Sequence, residues 1–198
     1  MGSWIQPICL GLGLASASGL NTFLPLALLA GVAHTHLIDI HLNPAYAWIG
    51  SNTALTALSI ATGVEILADK IPGVDHLLDV VGTVARPLAG AIAAGAVLST
   101  GDPTTAALVG LILGGPTAFG MHAAKAGTRA AATMTMAGLA SPILSVSEDL
   151  LATLLCALGF FAPWGAPLLI GILAYAAWRL ISKFRRPGPA RHAATSGS

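Results

Sequence analysis

The sequence predicts an all-α membrane protein, a polytopic bundle in which about six helices cross the bilayer. The first observation is the composition, because 55% of the 198 residues are hydrophobic and 9% are charged, whereas soluble domains carry about 25% charged residues. The second is a mean hydropathy of +0.80. The third is the spacing of the apolar segments, which occupy residues 4–33, 48–68, 86–99, 104–137, 149–162 and 166–181. A chain with so little polar surface is not expected to fold as a water-soluble globule.

The lengths of these segments predict two kinds of span. The third and fifth are shorter than the roughly 20 residues that a crossing helix needs, so we expect them to tilt or to stop partway. The first and fourth are longer and contain Gly- and Pro-rich interruptions, LGLGLASASGLNTFLP and LGGPTAFG. Interrupted helices at matching positions suggest a 3+3 inverted repeat, residues 4–99 and 104–181, with a site near the bilayer midplane. The alternative is that these residues are the Gly and Pro common in membrane helices.

The positions of Lys and Arg predict the orientation of the bundle. They occur beside the turn after the second span, late in the fourth segment and after the sixth, and the loops at residues 34–46, 100–103 and 162–167 have none. With an even number of spans, all of them fall on one side, which predicts that both termini are cytoplasmic. Residues 1–184 would form the transmembrane domain, and the Pro-, Gly- and Ser-rich residues 185–198 a disordered cytoplasmic tail. A net charge of +1 does not favour a nucleic-acid partner.

Polar residues in the second span form a stripe that cannot face lipid. They recur at three- and four-residue steps from Asn52 to Asp69, which places them on one side of an α-helix. The stripe includes Glu65, and a carboxylate near the bilayer core costs at least about 3 kcal/mol on the gentlest insertion scale. We therefore expect Glu65 to have a partner, a wet cavity or a proton.

The predicted topology brings acidic and basic residues to the cytoplasmic boundary. The second span ends with Glu65, Asp69 and Lys70, and the fifth begins with Glu148 and Asp149. Three further basic residues are expected at a similar depth: Arg86, Lys125 and Arg129. These charges could form a functional cluster between helices, or they could only fix helix ends through interfacial salt bridges.

A basic face is predicted on the fourth segment. His122, Lys125, Arg129 and Thr133 follow the spacing i, i+3, i+7, i+11 and so line one side of a helix. Such a face suits a carboxylate or phosphate ligand, with free N–H groups expected at a helix start after residues 114–116. The alternative is that it only neutralises the acidic residues of the second and fifth spans.

Two other patterns could bind cations. In the first helix, Asn21 precedes Pro25 by four residues, so its carbonyl loses a helical partner and nearby polar groups could coordinate an ion or simply bond back to the helix. Asp75 and Asp79 lie one helical turn apart and could hold Mg²⁺ against a diphosphate, although a solvated helix face is the simpler explanation of the spacing.

A histidine-rich loop leaves the question of a metal open. His34, His36, Asp39 and His41 fall within eight residues and are possible ligands of Zn²⁺ or Cu²⁺. Their spacing matches no standard site, and an ordinary loop is the simpler interpretation. The sequence therefore leaves a metal ligand set unknown and predicts no cofactor.

Several of these motifs together resemble one known family. They are GLNTFLPL at residues 19–26, E-x-x-x-D-K-x-P-x-x-D at residues 65–75, R-P with a following Gly at residues 86–90, H-x-x-K-x-x-x-R at residues 122–129, and S-x-x-E-D at residues 145–149. This combination is similar to a family of small bacterial membrane proteins known as domain of unknown function 4126. The resemblance implies a multi-helix protein of the bacterial cytoplasmic membrane, and it implies no particular activity.

The function that these patterns favour is transport of a small solute or an anionic lipid-like substrate, with Glu65 and Glu148 as proton-linked carboxylates. The residues expected to bind substrate or ions are Asn21, Glu65, Asp69, Lys70, Asp75, Arg86, His122, Lys125, Arg129, Ser145, Glu148 and Asp149. The alternatives are an intramembrane enzyme acting on a lipid head group and an assembly factor without transport activity. An enzyme is less favoured because no nucleophile triad or phosphate loop is present. The expected partners are the bilayer, the substrate and protons, and a homo-oligomer stays open.

Overall fold

The computed structural model describes residues 4–71, 73–98, 102–136 and 141–184, and its regular structure there is entirely helical. The eight α-helices of these ranges are α1 (Ile5–Leu20), α2 (Leu24–Thr35), α3 (Asn52–Ala68), α4 (Val74–Val97), α5 (Pro103–Val109), α6 (Gly115–Met136), α7 (Ser141–Phe161) and α8 (Gly165–Phe184). A 3-10 helix, Pro44–Gly50, precedes α3, and a π-helical segment, Gly110–Gly114, joins α5 to α6. The predicted all-α bundle is confirmed, and the predicted disordered tail lies outside the described residues.

The helices have the lengths and composition of a membrane bundle. In the part of the chain that the structure describes, three helical stretches are long and apolar enough to cross a bilayer: Leu77–Val97, Pro103–Ala132 and Pro142–Phe161. Shorter apolar helices comprise Ile5–Leu20, Leu24–Thr35, Asn52–Ala68 and Gly165–Arg179. Helices α1 and α2 together correspond to the first predicted apolar segment, and α3, α4, α5–α6, α7 and α8 correspond to the other five. That six segments cross the membrane stays a prediction.

The prediction that the third and fifth spans are short is wrong. Helix α4 has 24 residues and α7 has 21. Both extend N-terminally beyond the predicted starts, through charged residues that end an apolar run in the sequence. These residues pair inside the bundle, as described below, so hydropathy alone could not assign them to the helices.

Of the two predicted interruptions, the one in the first segment breaks the helix and the one in the fourth segment does not. Helix α1 ends at Leu20 and α2 starts at Leu24. In the fourth segment, however, the helix continues through the π-helical turn, and the N–H of Gly115 donates to the carbonyl of Gly110. The free N–H groups predicted after residues 114–116 are therefore absent from this described stretch, because a wider turn keeps the backbone hydrogen-bonded.

Small residues let α4 pack very closely on its neighbours. A Cβ atom at Gly110 would collide with the carbonyl oxygen of Ala91, and one at Gly114 would collide with that of Gly90. On the other side of α4, a Cβ at Gly11 of α1 would lie 3.3 Å from the Cα of Ala94. We call these contacts of α1, α4 and the π-helical segment the glycine seam. It fixes α4 in the middle of the bundle and so positions the charged residues that precede Gly90.

The two halves of the proposed repeat pack differently at their last helices. Helix α4 lies between α1 and α6, whereas α8 contacts α1 and α7 at the side of the bundle. The relation between residues 4–99 and 104–181 as an inverted repeat stays a prediction.

Candidate functional site

The site is built around the break between α1 and α2. Asn21 has an extended backbone, with φ −138° and ψ 125°, and the helix resumes at Leu24 with Pro25 in its first turn. The side-chain oxygen of Asn21 accepts the N–H of Leu24 at 3.0 Å. A break inside a membrane bundle frees further backbone groups at both helix ends, and these must find partners within the protein.

Glu65, from the last turns of α3, binds the free N–H groups at the start of α2. Its Oε1 accepts the N–H of Thr22 at 2.9 Å and the hydroxyl of Thr22 at 2.8 Å. Its Oε2 accepts the N–H of Phe23 at 3.1 Å. The residue is 4% exposed. A carboxylate at a helix N-terminus also interacts favourably with the helix dipole, so Glu65 caps the start of α2 together with Asn21.

Lys125, from α6, binds the other side of the break. Its ammonium group donates to the carbonyl of Leu20, the last residue of α1, at 2.9 Å. The same nitrogen lies 3.1 Å from Asp69 Oδ2 and 3.1 Å from Glu148 Oε2. The ammonium therefore donates to the carbonyl and to Asp69 and lies at ion-pair distance from Glu148. The break is thus held by a negative charge at the start of α2 and a positive charge at the end of α1, as the dipoles of the two helices require.

Arg129, one turn further along α6, joins three other helices. It forms a bidentate pair with Glu148 of α7, with Nε 3.1 Å from Oε1 and Nη2 2.7 Å from Oε2. Its Nη2 is also 3.5 Å from Asp69 Oδ2 at the end of α3. Its Nη1 is 3.8 Å from a carboxylate oxygen of both Asp75 and Asp79 at the start of α4. A bidentate arginine pair of this kind is strong and directional, so Arg129 fixes the helix ends relative to one another.

Arg86 lies deepest in the cluster, and its predicted position at the turn after the second span is wrong. It is in the middle of α4 and fully buried. Its Nη1 pairs with Asp79 at 3.1 Å and contacts His122 Nδ1, while Nη2 is 3.9 Å from Glu65 Oε1. Within the described residues, Nε and Nη2 have no hydrogen-bond partner. Gly82 leaves the space for this guanidinium, because a Cβ there would lie 3.0 Å from its Cζ.

The hydrogen bonds of His122 indicate its tautomer. Nε2 lies 3.3 Å from the hydroxyl oxygen of Thr83, and that hydroxyl donates its own proton to the carbonyl of Asp79. Nε2 therefore carries the proton that Thr83 accepts, and Nδ1 accepts from the guanidinium of Arg86. This arrangement fits a neutral imidazole.

A second, more exposed pair lies on the other side of Asn21. The amide nitrogen of Asn21 donates to Asp149 Oδ1 at 3.2 Å, and Lys70 donates to Asp149 Oδ2 at 3.3 Å. Lys70 also donates to the carbonyl of Ile66 at 2.8 Å. Its side chain is 34% exposed, so this pair lies at the edge of the cluster and contributes less than the buried ones.

The cluster as a whole has more acids than bases. Its members, called here the charged network, are the acidic residues Glu65, Asp69, Asp75, Asp79, Glu148 and Asp149 and the basic residues Lys70, Arg86, Lys125 and Arg129. The six acidic side chains outnumber the four basic ones by two among the described members. Asp69 Oδ1 is buried without a hydrogen-bond partner among them.

The structure brings the predicted site residues together at this break, with one exception. Ser145 is buried in α7, and its hydroxyl has no hydrogen-bond partner in the described part of the chain. Thr133 continues the predicted basic face along the backbone of α6, but its side chain lies outside what the structure describes. Whether any of these residues binds a substrate or an ion stays a prediction.

Sequence reasoning underestimated Asp79. We considered the spacing of Asp75 and Asp79 to be explained by a solvated helix face, and their side chains are only 14% and 19% exposed and lie beside two arginines. The signal was present in the sequence, because Arg86 follows Asp79 by seven residues and so lies on the same face of α4.

The histidine-rich loop forms no comparable cluster. His41 Nδ1 lies 3.6 Å from Asp39 Oδ1, and both side chains are almost fully exposed. Over the described residues, no three His, Cys, Asp or Glu side chains are placed to hold one metal ion. The structure therefore adds nothing to the metal interpretation of this loop.

Comparison with known proteins gives a family. Residues 8–183 match the family model described as Domain of unknown function (DUF4126). Because the match covers most of the chain, this protein belongs to that family. No curated protein and no solved structure matched the chain. The residues that carried the resemblance in the sequence lie largely at the helix break and in the charged network.

Proposed function

We propose that this protein is a membrane transport protein, with the break between α1 and α2 as the moving part of its site. The observation that supports this is the pair of charged caps on the break, Glu65 on the start of α2 and Lys125 on the end of α1. Broken helices with ionisable partners near the middle of a bundle are typical of transporters. A break that served only packing would not need charged side chains from two other helices.

The geometry provides Glu65 with two alternative partners. Its Oε1 is bonded to Thr22 and is 3.9 Å from Nη2 of Arg86, which has no hydrogen-bond partner in the described part of the protein. A small movement of the Glu65 carboxylate would break its hydrogen bonds to the start of α2 and form new ones to the guanidinium of Arg86. Two discrete arrangements of a packed element are what an alternating-access protein requires.

Proton coupling follows from the same contacts. The carboxylate accepts three hydrogen bonds, two of them from the backbone of the break. A proton on Glu65 would remove its charge and occupy one of its lone pairs, so the cap on α2 would weaken and the break could move. Proton binding and movement of the first span would then be one event.

We place the protein in the bacterial cytoplasmic membrane with both termini in the cytoplasm. The support is the distribution of Lys and Arg, which are missing from the loops expected outside. Asp102, at the start of α5, would then face the outside. A membrane-impermeant thiol reagent should label Asp102→Cys in intact cells, and labelling from the cytoplasmic side alone would contradict this orientation.

The test of transport is proton flux into liposomes that contain the purified protein, measured while candidate solutes are supplied. Glu65→Gln keeps the size of the side chain and one acceptor but removes the charge and the titrating proton. We expect it to abolish solute-dependent proton flux without loss of folded protein. The matched control is Asp39→Asn, whose side chain is 91% exposed, and it should leave flux unchanged.

Solute-dependent flux that survives Glu65→Gln would overturn the role of this carboxylate. A folded parent protein that moves no solute and no proton would overturn transport itself and would favour an assembly factor.

A further inference from the structure

A groove between α6, α7 and α8 has the size of a ligand site. Its volume is about 740 Å³, within the range of roughly 300–1,000 Å³ found for small-molecule sites. Its walls are mainly apolar and include Met121, Leu151 and Leu173. Its polar lining is concentrated where α6 and α7 approach the charged network: Lys125, Thr128, Ser147 and Glu148. An apolar body with one polar end fits this shape.

The polar end of the groove presents hydrogen-bond acceptors. The hydroxyl protons of Thr128 and Ser147 are donated to the carbonyls of Lys125 and Leu144, at 2.8 Å and 2.7 Å. Their oxygens therefore keep lone pairs for a ligand. The ammonium of Lys125 donates to the carbonyl of Leu20 and to Asp69 and lies 3.1 Å from Glu148 Oε2. Its side chain has no exposed surface, so the ammonium is not presented to an anionic ligand in the groove.

The charges of the residues around the groove also favour a cationic ligand over an anionic one. Glu148 lines the groove. Within the described residues its Oε1 accepts a hydrogen bond from Arg129 Nε, while Oε2 is shared by two cations. The charged network behind it has two more acids than bases among its described members. In a low-dielectric site, such a surplus attracts a positive charge strongly.

We propose that this groove binds a lipophilic cation, with its apolar part against α6, α7 and α8 and its positive charge beside Glu148. The inference rests on the proposed function, because it names the substrate class that the transport protein would carry. It departs from the anionic ligand expected from the basic face of α6, since Lys125 and Arg129 are engaged by carboxylates.

The first experiment compares two ions of the same shape and opposite charge. Tetraphenylphosphonium and tetraphenylborate are titrated against the purified full chain in nanodiscs of uncharged lipid. Binding is measured by equilibrium dialysis as the excess over protein-free nanodiscs, because the dipole potential of the lipid by itself favours uptake of the anion. We expect the cation to bind at least about tenfold more tightly than the anion. Equal binding, or tighter binding of the anion, would overturn the proposal, and the second result would support an anionic substrate.

The second experiment locates the site with two glycines of α6. Both are exposed, and a Cβ at either would meet nothing within 4 Å, so a side chain can begin at both positions without a backbone clash. Gly120 lines the groove and Gly127 is outside its lining. Gly120→Phe should weaken tetraphenylphosphonium binding by about tenfold or more because it fills the cavity, while Gly127→Phe should not. Unchanged binding in Gly120→Phe would overturn the assignment.

These outcomes are separable from those of the flux measurement because dialysis does not require transport. Proton-coupled flux in a protein that does not bind tetraphenylphosphonium would refute the lipophilic cation and leave the transport proposal standing. Specific binding of tetraphenylphosphonium by a protein without flux would refute transport and leave the groove as a binding site for lipophilic cations.

Discussion

The glycine seam and the charged network both involve α4, but they hold the bundle together by different means. In the seam, backbone lies against backbone, and a single Cβ at Gly114 would collide with the carbonyl of Gly90. In the network, long side chains reach across the gaps between helices, and Arg129 and Lys125 each lie near more than one carboxylate. Close backbone packing permits one arrangement, whereas charges with several partners permit more than one.

This difference separates the rigid part of the bundle from the part that can move. The seam joins α1, α4 and the π-helical segment, so these elements form a fixed frame. The break at Asn21 lies at the edge of that frame, and α2 begins beyond it with its first N–H groups bound only to side-chain oxygens. We therefore expect movement to start at the break and to leave the seam unchanged.

The largest effect should come from removing a buried cation of the network. Lys125→Met leaves Asp69, Glu148 and the carbonyl of Leu20 without the ammonium that binds them. Breaking a buried pair in this way typically costs about 3–5 kcal/mol, and the free energy of unfolding in a denaturant titration would measure it. Arg179→Met, at an exposed position of α8, is the control and should cost little. Equal losses for the two variants would show that the network does not stabilise the fold.

A smaller loss of stability is expected when a methyl group is added to the glycine seam. Gly114→Ala forces α4 and the π-helical segment apart and should cost about 1–3 kcal/mol, as overpacking usually does. Gly120→Ala adds the same methyl group where a Cβ meets nothing within 4 Å, so it should be neutral or slightly stabilising. The same denaturant titration compares them, and a Gly114→Ala variant as stable as its control would contradict the close approach of the two backbones.

The smallest effect on stability is expected from removing the carboxylate that caps the start of α5. Asp102 accepts from Thr105 Oγ1 and from the N–H groups of Thr104 and Thr105. The hydrogen bond from the Thr105 hydroxyl, followed by that from its backbone, holds the pKa of Asp102 below its ordinary value of 3.8. A depressed pKa stabilises the folded state above the unfolded value, and this contribution disappears as the pH falls through the folded value.

Melting temperature measured against pH in detergent would detect this cap. The parent should exceed Asp102→Ala by a small constant margin at neutral pH, and the margin should shrink below about pH 4. A margin that is independent of pH down to about pH 2 would mean that the carboxylate charge plays no part in the cap.

Much of the fold was predictable because hydropathy and the positions of Gly and Pro report directly on membrane helices. The break near Asn21 followed from Pro25, which removes a backbone donor. The π-helical turn did not follow, because the sequence LGGPTAFG is compatible with both a break and a widened turn. Which one forms depends on how closely Gly110 and Gly114 approach α4, and that is a property of the packed bundle.

The composition of the charged network was also predictable, but its pairing was not. Acidic residues in an apolar chain must find partners, so Glu65, Glu148 and the basic residues were expected near one another. Helical spacing gave the face of each residue and not its depth, and Arg86 was consequently misplaced. Glu65 accepts its hydrogen bonds from the break and has Arg86 only at 3.9 Å, and this choice of partner depends on the geometry of the break, which no local pattern encodes.

The measurement that tests the account most directly is hydrogen exchange of the reconstituted protein, read at the amides of Thr22 and Phe23 and at those of the seam. The account predicts that Glu65→Gln accelerates exchange at the break and leaves exchange at Ala91 and Gly95 unchanged, because the cap controls a local opening. Equal acceleration at both places, or none at the break, would contradict the claim that Glu65 holds a movable element against a rigid frame.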